Sequence, residues 1–237
     1  MKTPNCASCS FKAAERICRV EEGKFPDSCP TKNLPELIEK SLQEYQSNPE
    51  LFEFARQSSI QEAEGYQNRD LGYAQVRAAK TRIEEIIGFA NKMGYKRLGI
   101  AFCLGLRKEA KIVEKIFSEN GFEIVSAICK AGRIAKDQIG VRPDQQVAPG
   151  TVETMCNPIL QAMILNHHKT EFNILLGLCV GHDSLFLKHI EGYTTVLAVK
   201  DRVLAHNPMA AIYTCQTYYR WLHASEAEPR SEPGSGS

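Results

Sequence analysis

Four cysteines near the amino terminus have a spacing that suits a metal site. Cys6 and Cys9 form a C-x-x-C pair, and Cys18 and Cys29 follow among polar residues. Two thiolates at this spacing can bind one ion from a tight turn, and two more complete a four-coordinate site. The sequence therefore predicts Zn²⁺ or a [4Fe-4S] cluster at these cysteines, with unligated thiols as the alternative.

A second set of cysteines is scattered along the carboxyl-terminal half of the chain. Cys103 and Cys179 each end a predicted strand, and Cys156 comes just before a helix that starts at Asn157-Pro158. Ligands of an open parallel sheet bind outside the carboxyl ends of its strands, and helix N-termini favour thiolates. We expect these three thiols to converge and to hold a second [4Fe-4S] cluster or a zinc ion with an open position.

The residues beside these thiols add groups for binding and proton transfer. Gly105 and Gly181 allow a ligand to approach the backbone closely, so they are predicted to join Cys103, Cys156 and Cys179 in cofactor binding. His182 and Asp183 follow Cys179 and are predicted to act as a catalytic acid–base pair. Nearby basic side chains could make the mouth of this site electropositive: Arg107, Lys108, Lys130, Arg133 and Lys136.

The remaining cysteines favour a structural interpretation. Cysteine is among the most buried residue types and often fills a hydrophobic core. Cys215 lies on the apolar face of the last predicted helix, and Cys129 ends a second predicted strand. We expect both to be core residues, and any single thiol of the second set could also be one.

Four short apolar segments, separated by helix-length stretches, must position this second set. They cover residues 96–103, 122–129, 172–179 and 194–200. Strands that alternate with helices predict an α/β fold with a largely parallel, four-stranded, Rossmann-like sheet and flanking helices. The predicted organisation is a Cys-rich metal-binding segment 1–33, a helical segment 34–95 packed on the core, an α/β domain 96–223 and a flexible tail 224–237.

Composition excludes several other classes of protein. Lys and Arg total 29 against 28 Asp and Glu, and this balance argues against a nucleic-acid binder. The sequence has no apolar run long enough for a transmembrane helix and no apolar leader, so we expect a cytoplasmic protein that does not bind membranes. It also lacks a G-x-G-x-x-G after the first strand, a P-loop and a G-x-S-x-G motif, which disfavours nucleotide binding and an α/β-hydrolase.

Several motifs resemble those of a family of uncharacterised bacterial and archaeal metal-binding proteins. They are the C-x-x-C…C…C-P pattern, CNPILQAMILN, NILLGLCVGHDSLF and VKDRVLAHNPMAAIY, which span nearly the whole chain. The resemblance implies metal binding and a cytoplasmic setting. It implies no particular reaction.

Three functions remain open from the sequence. The first is an iron–sulfur or zinc enzyme that performs redox or sulfur chemistry on a small substrate, with a structural or electron-relay centre at the N-terminal cysteines. The second is a non-catalytic, zinc-stabilised module that binds a small ligand or a partner protein. The third is a metal or redox sensor whose thiols cycle. A small molecule or a redox protein is the expected partner, and the sequence leaves the oligomeric state open.

Overall fold

A computed structural model describes residues 2–223, which form two compact units divided between Ala78 and Ala79. The predicted tail 224–237 lies outside the described residues. The helices of the first unit are α1 Pro30–Asn33, α2 Pro35–Ser47 and α3 Pro49–Glu64, and its strands are β1 Tyr66–Gln67 and β2 Arg77–Ala78. The second unit contains α4 Arg82–Lys92, β3 Arg97–Phe102, α5 Arg107–Glu119, β4 Glu123–Ile128, α6 Pro158–His167, β5 Phe172–Leu176, α7 His182–His189, β6 Tyr193–Ala198 and α8 Met209–Tyr213.

The first unit combines the N-terminal cysteines with three helices, of which α1 is a single turn. Its beginning has no strand or long helix, only 3-10 turns at Cys6–Ser8 and Ala13–Glu15. The Asn48-Pro49 pair predicts a helix start, because Asn can cap a helix and Pro suits its first turn. Helix α3 begins there, and the side-chain oxygen of Asn48 accepts the N–H groups of Glu50 at 3.0 Å and Leu51 at 3.2 Å. Strands β1 and β2 form a short antiparallel pair.

The second unit is built on a four-stranded parallel sheet with the order β4-β3-β5-β6. Every residue of β5 is buried, as are the middle four of β3, and such continuously buried strands are typical of a sheet covered on both faces. The predicted α/β class, the four parallel strands and their flanking helices are confirmed.

The strand order creates a crevice at one edge of the sheet. The chain runs from β3 to β4 on one side and then returns to β5 on the other side of β3. The connections that leave β3 and β5 therefore diverge at their carboxyl ends. In open α/β sheets, this reversal point is where ligands bind.

Helix α6 is tied to the same edge by a buried amide. The side-chain nitrogen of Gln161, which has no exposed surface, donates to the carbonyl of Phe102 at 3.1 Å and to that of Ala127 at 2.7 Å. These carbonyls lie at the carboxyl ends of β3 and β4. The amide therefore holds the amino-terminal half of α6, with Cys156 just before it, against the ends of both strands.

The apolar spacing from Val76 to Ala90 predicts a helix that follows Asp70, and the Asn207-Pro208 pair predicts a last helix whose apolar face extends to Leu222. Both predictions were wrong in extent. The helix expected after Asp70 begins only at Arg82, since β2 pairs with β1 and Thr81 donates its N–H to Glu84 at 2.7 Å in a capping box. The helix expected from Asn207 to Leu222 is limited to α8. Thr214 ends it with its hydroxyl bonded back to the carbonyl of Ala210 at 2.6 Å.

The described residues include no helix with both the length and the apolar character needed to cross a bilayer.

Candidate functional site

Two cysteines follow neighbouring strands directly, and a third is fastened beside them. Cys103 comes after β3 and Cys129 after β4, and the N–H of Cys129 donates to the carbonyl of Phe102 at 2.9 Å. The N–H of Asn157 donates to the carbonyl of Cys129 at 2.7 Å. This backbone bond places Cys156 next to Cys129.

The sulfurs of Cys129 and Cys156 form a hydrogen-bonded pair. The thiol of Cys129 donates to the thiolate of Cys156, and this bond lowers the pKa of Cys156 to about 5 and raises the pKa of Cys129 well above its ordinary value. Burial acts in the same direction on Cys129, which is 3% exposed. The arrangement holds one ionised sulfur and one protonated sulfur in contact.

Two basic side chains stabilise the Cys156 thiolate further. Lys130 lowers the pKa of Cys156 by its charge and by a side-chain hydrogen bond, and the charge of His182 acts in the same direction. The ammonium of Lys130 also donates to the carbonyl of Thr154, which fixes it beside the thiolate. Cys156 is half-buried, so its sulfur combines a low pKa with access from solvent.

Cys103 completes a group of three thiols. It is half-buried and, like Cys156, packs against the hydrophobic cluster that contains Cys129. Its charge contributes to the raised pKa of Cys129. The next residue, Leu104, donates its N–H to the sulfur of Cys129 at 3.3 Å.

Cys179 has a different environment from the other predicted ligands. It lies three residues beyond the end of β5, and its sulfur accepts a hydrogen bond from Arg202 at 3.1 Å. Arg202 belongs to a turn held by Asp201, whose carboxylate accepts the N–H groups of Val203 at 3.0 Å and Leu204 at 2.8 Å. Within residues 2–223, the sulfur of Cys179 thus accepts a hydrogen bond from a guanidinium and none from another cysteine.

The predicted acid–base pair is divided between two roles. His182 begins α7 and acts on Cys156, as described above. The carboxylate of Asp183 accepts the N–H of Ser184 at 2.8 Å, which ties it to the first turn of its own helix. The backbone N–H groups of His182 and Asp183 donate to the carbonyl of Cys179, at 2.9 Å and 3.1 Å, and these hydrogen bonds stabilise the turn before α7.

The two predicted glycines also differ. Gly181 has a φ of +84°, which favours glycine, and a Cβ there would contact nothing within 4 Å. A Cβ on Gly105 would lie 3.5 Å from the ammonium of Lys200 and 3.9 Å from the sulfur of Cys103. Gly105 is therefore part of the site, whereas Gly181 serves the turn before α7.

The N-terminal cysteines line one cavity of about 50 Å³ in the first unit. Cys6, Cys9, Cys18 and Cys29 all contribute to its wall, and all four are free thiols. Arg16 crosses this region and donates to the carbonyl of Cys9 at 3.1 Å. The donors suit a thiophilic ion in type and number.

Across residues 2–223, no group of three or more His, Cys, Asp or Glu side chains is arranged to hold a metal ion. The predicted zinc ion and iron–sulfur clusters stay predictions.

The sequence pattern predicts that Cys129 is a core residue, and Lys130 is only one of several basic residues near the predicted site. The signal that could have found them is the rule used for Cys103, because Cys129 also ends a strand at the same edge. Its depth in the core makes it the protonated partner of Cys156. Lys200 was overlooked altogether.

Comparison with known proteins connects the chain to a family. A family model described as "Protein of unknown function (DUF1847)" matches residues 29–197, which is well over half of the chain. The chain belongs to this family. The match includes Cys103, Cys129, Cys156 and Cys179, but of the N-terminal four it includes only Cys29.

The match confirms that the chain belongs to a family of unknown function, while the metal binding and the bacterial and archaeal spread of the resembled family stay predictions. The chain is 45% identical over 179 residues to the uncharacterized protein MJ0455 of Methanocaldococcus jannaschii. The aligned region covers 76% of this chain and 84% of that protein. No solved structure matches the chain.

Proposed function

We propose that this member of the DUF1847 family is a thiol-dependent redox protein that acts on small disulfides at the carboxyl edge of its sheet. The observation that carries the proposal is the placement of the half-buried Cys156 beside the buried Cys129, which the backbone hydrogen bond from Asn157 to the carbonyl of Cys129 at 2.7 Å holds in place. The lowered pKa of Cys156 supports it. An accessible sulfur of low pKa beside a buried protonated sulfur suits a two-step exchange. The strand order and its reversal point support a Rossmann-like arrangement around this edge.

The first step uses Cys156 as the attacking group. Its thiolate attacks one sulfur of the substrate disulfide, a new S–S bond forms to Cys156, and the substrate S–S bond breaks. The released thiolate takes a proton and leaves as a thiol. Attack requires the ionised form, and a pKa of about 5 keeps Cys156 ionised at neutral pH.

The second step uses Cys129 as the resolving group. Its sulfur attacks the sulfur of Cys156, the Cys129–Cys156 bond forms, and the bond between Cys156 and the substrate sulfur breaks. The proton of Cys129 passes to the departing substrate thiolate, which leaves as the second thiol. In total, two protein thiols are oxidised and one substrate disulfide is reduced to two thiols. Regeneration needs a dithiol reductant, which a reducing cytoplasm supplies.

Lys130 and His182 have distinct parts in this chemistry. Lys130 is anchored on the Thr154 carbonyl and keeps a positive charge beside the attacking sulfur. His182 lies at the start of α7 and can give a proton to the departing thiolate. The role of Asp183 is to hold the first turn of that helix.

The decisive experiment is to incubate the reduced protein with oxidised glutathione and map the products by mass spectrometry. We expect the wild-type protein to form an internal Cys129–Cys156 disulfide. Cys129→Ser lacks the resolving sulfur and should accumulate a glutathione mixed disulfide on Cys156. The matched control Cys215→Ser should behave like the wild type.

Failure of Cys129→Ser to trap glutathione on Cys156 would contradict the proposal. So would an internal disulfide that joins other cysteines. A third variant, Cys103→Ser, tests whether Cys103 is the resolving thiol instead of Cys129. A disulfide to Cys156 still forms in this variant only if Cys129 is the partner of Cys156.

A second candidate function, metal binding at the N-terminal cysteines, is supported by the cavity that Cys6, Cys9, Cys18 and Cys29 share. These thiolates would hold Zn²⁺ or an iron–sulfur cluster, which would stabilise a segment with little other regular structure. Arg16 lies on the same cavity wall and could offset part of the negative charge of four thiolates.

Metal content measured on anaerobically prepared protein tests this candidate. We expect zinc or iron to be lost in the double variant Cys6→Ser/Cys9→Ser and retained in Cys215→Ser. Absence of both metals, with all cysteines titrating as free thiols, would exclude it. Iron and labile sulfide that disappear in Cys156→Ser instead would indicate a cluster at the sheet edge and would overturn the thiol–disulfide proposal.

A further inference from the structure

The crevice between β3 and β5 contains a cation that the proposed exchange chemistry does not use. Lys200 follows β6, and its backbone N–H donates to the carbonyl of Leu178 at 3.1 Å. Its side chain extends over the end of β5. The ammonium lies 3.5 Å from the position of a Cβ on Gly105 and 3.9 Å from that on Gly177. It is therefore placed between the connections that leave β3 and β5.

This location coincides with the reversal point of the sheet. The chain passes from β3 to β4 in one direction and from β5 to β6 in the other, so the connections that leave β3 and β5 separate here. In open α/β folds, the crevice at such a reversal point is a recurrent ligand-binding site. The ammonium of Lys200 is directed into that space from a third strand.

The two glycines leave room for different reasons. Gly177 has a φ of +68°, and a Cβ there would lie 1.9 Å from a methyl group of Leu106, so packing already requires glycine. Packing does not require glycine at position 105, since the atoms nearest to a Cβ there would lie at ordinary contact distances. Those atoms are the ammonium of Lys200 and the sulfur of Cys103. The space over Gly105 is thus shared by a cation and a thiol.

Lys200 also lacks a counter-charge of its own. It is half-buried, and within residues 2–223 its ammonium makes no hydrogen bond or ion pair. A partly desolvated ammonium is costly unless an anion or a hydrogen-bond acceptor approaches it. A negatively charged ligand would supply the counter-charge that Lys200 lacks within residues 2–223.

From these observations we infer that the crevice over Gly105 binds the anionic group, a carboxylate or a phosphate, of a small substrate through Lys200. The inference deepens the proposed function and rests on it only for the identity of the reacting disulfide. It makes the substrate class a small anionic disulfide whose charged end lies over Gly105, beside Cys103.

Paired alkylating reagents provide a direct test. Iodoacetate is an anion and iodoacetamide is its neutral counterpart, so the ratio of their rates at one cysteine reports the local preference for negative charge. We expect this ratio to be about fivefold or more higher at Cys103 than at Cys215, since a cation lies close to the first sulfur. Peptide mapping by mass spectrometry measures each rate.

Three variants identify the source of the preference. Lys200→Gln should lower the ratio at Cys103 to that at Cys215, whereas Lys200→Arg should keep it high. Lys111→Gln removes an exposed charge on α5 and should leave the ratio unchanged. Gly105→Ala should slow iodoacetate at Cys103 because the added methyl group fills the space that its carboxylate would use.

Competition then distinguishes the two anionic groups. Malonate should protect Cys103 from iodoacetate if the crevice accepts a carboxylate, and inorganic phosphate should protect it if the crevice accepts a phosphate. Equal ratios at Cys103 and Cys215, or a ratio that survives Lys200→Gln, would overturn the inference. Either result is separate from disulfide formation between Cys129 and Cys156, so the failure of one proposal can be told from the failure of the other.

Discussion

Substitution of Cys129 by alanine should raise the pKa of Cys156 more than any other single change at the site. The hydrogen bond from Cys129 is the largest cause of the lowered pKa, ahead of the charges of Lys130 and His182. Alanine removes the donor and leaves the burial of Cys156, which acts in the opposite direction. Cys129→Ser replaces the thiol by a hydroxyl donor and should preserve much of the effect.

The size of the change follows from the fraction of thiolate. At pH 6, a thiol with a pKa of about 5 is roughly 90% ionised, whereas one at the ordinary value of about 8.5 is less than 1% ionised. If Cys129→Ala raises the pKa of Cys156 only to 7, the ionised fraction at pH 6 falls to about one tenth. We therefore expect the alkylation rate of Cys156 at pH 6 to drop by about tenfold or more.

The assay is the rate of iodoacetamide labelling at Cys156 between pH 4 and pH 9, resolved by peptide mass spectrometry. The wild type should show a midpoint near 5, Cys129→Ser a nearby midpoint and Cys129→Ala a clearly higher one. Lys130→Gln should raise the midpoint less than Cys129→Ala does. An ordinary thiol midpoint in the wild type, or the same midpoint in Cys129→Ala, would refute the reasoning.

Three further substitutions test the framework around the site. Gln161→Leu removes the donor shared by two buried carbonyls at the strand ends and should lower the free energy of unfolding by about 2 to 3 kcal/mol in urea denaturation. Gly99→Ala brings a Cβ to 2.2 Å from the side-chain oxygen of Asn173 and should cost about 1 to 3 kcal/mol by the same measurement. Glu153→Gln should destabilise the protein at neutral pH, because the hydrogen bond from Lys136 lowers the pKa of Glu153 in the folded state. That stabilisation is present above the ordinary pKa of a glutamate and is lost as the pH falls through the lowered value, so the two proteins should converge in acid.

Clear results would contradict each of these expectations. They are an unchanged free energy of unfolding in Gln161→Leu, a Gly99→Ala variant as stable as the wild type, and a Glu153→Gln difference that persists unchanged into acid. The exposed substitution Lys111→Gln is the matched control for all three, since it removes a solvent-facing charge away from these contacts.

Local signals in the sequence were sufficient for the class of fold and for the edge at which the thiols lie. Short apolar runs at regular intervals predicted β3, β4, β5 and β6, because a buried parallel strand has to be apolar on both faces. Asn-Pro pairs predicted the starts of α3 and α6, since the capping interaction is made within a few residues.

Tertiary structure decided which thiols interact. Cys129 and Cys156 are separated by a long connection, and the hydrogen bond between their sulfurs exists only because α6 docks against the ends of β3 and β4. The sequence by itself determined that cysteines crowd one edge of a parallel sheet, because that follows from residue type and strand position. Which sulfur is ionised, and that Lys200 reaches the crevice over Gly105, depend on burial and long-range packing, which no local pattern encodes.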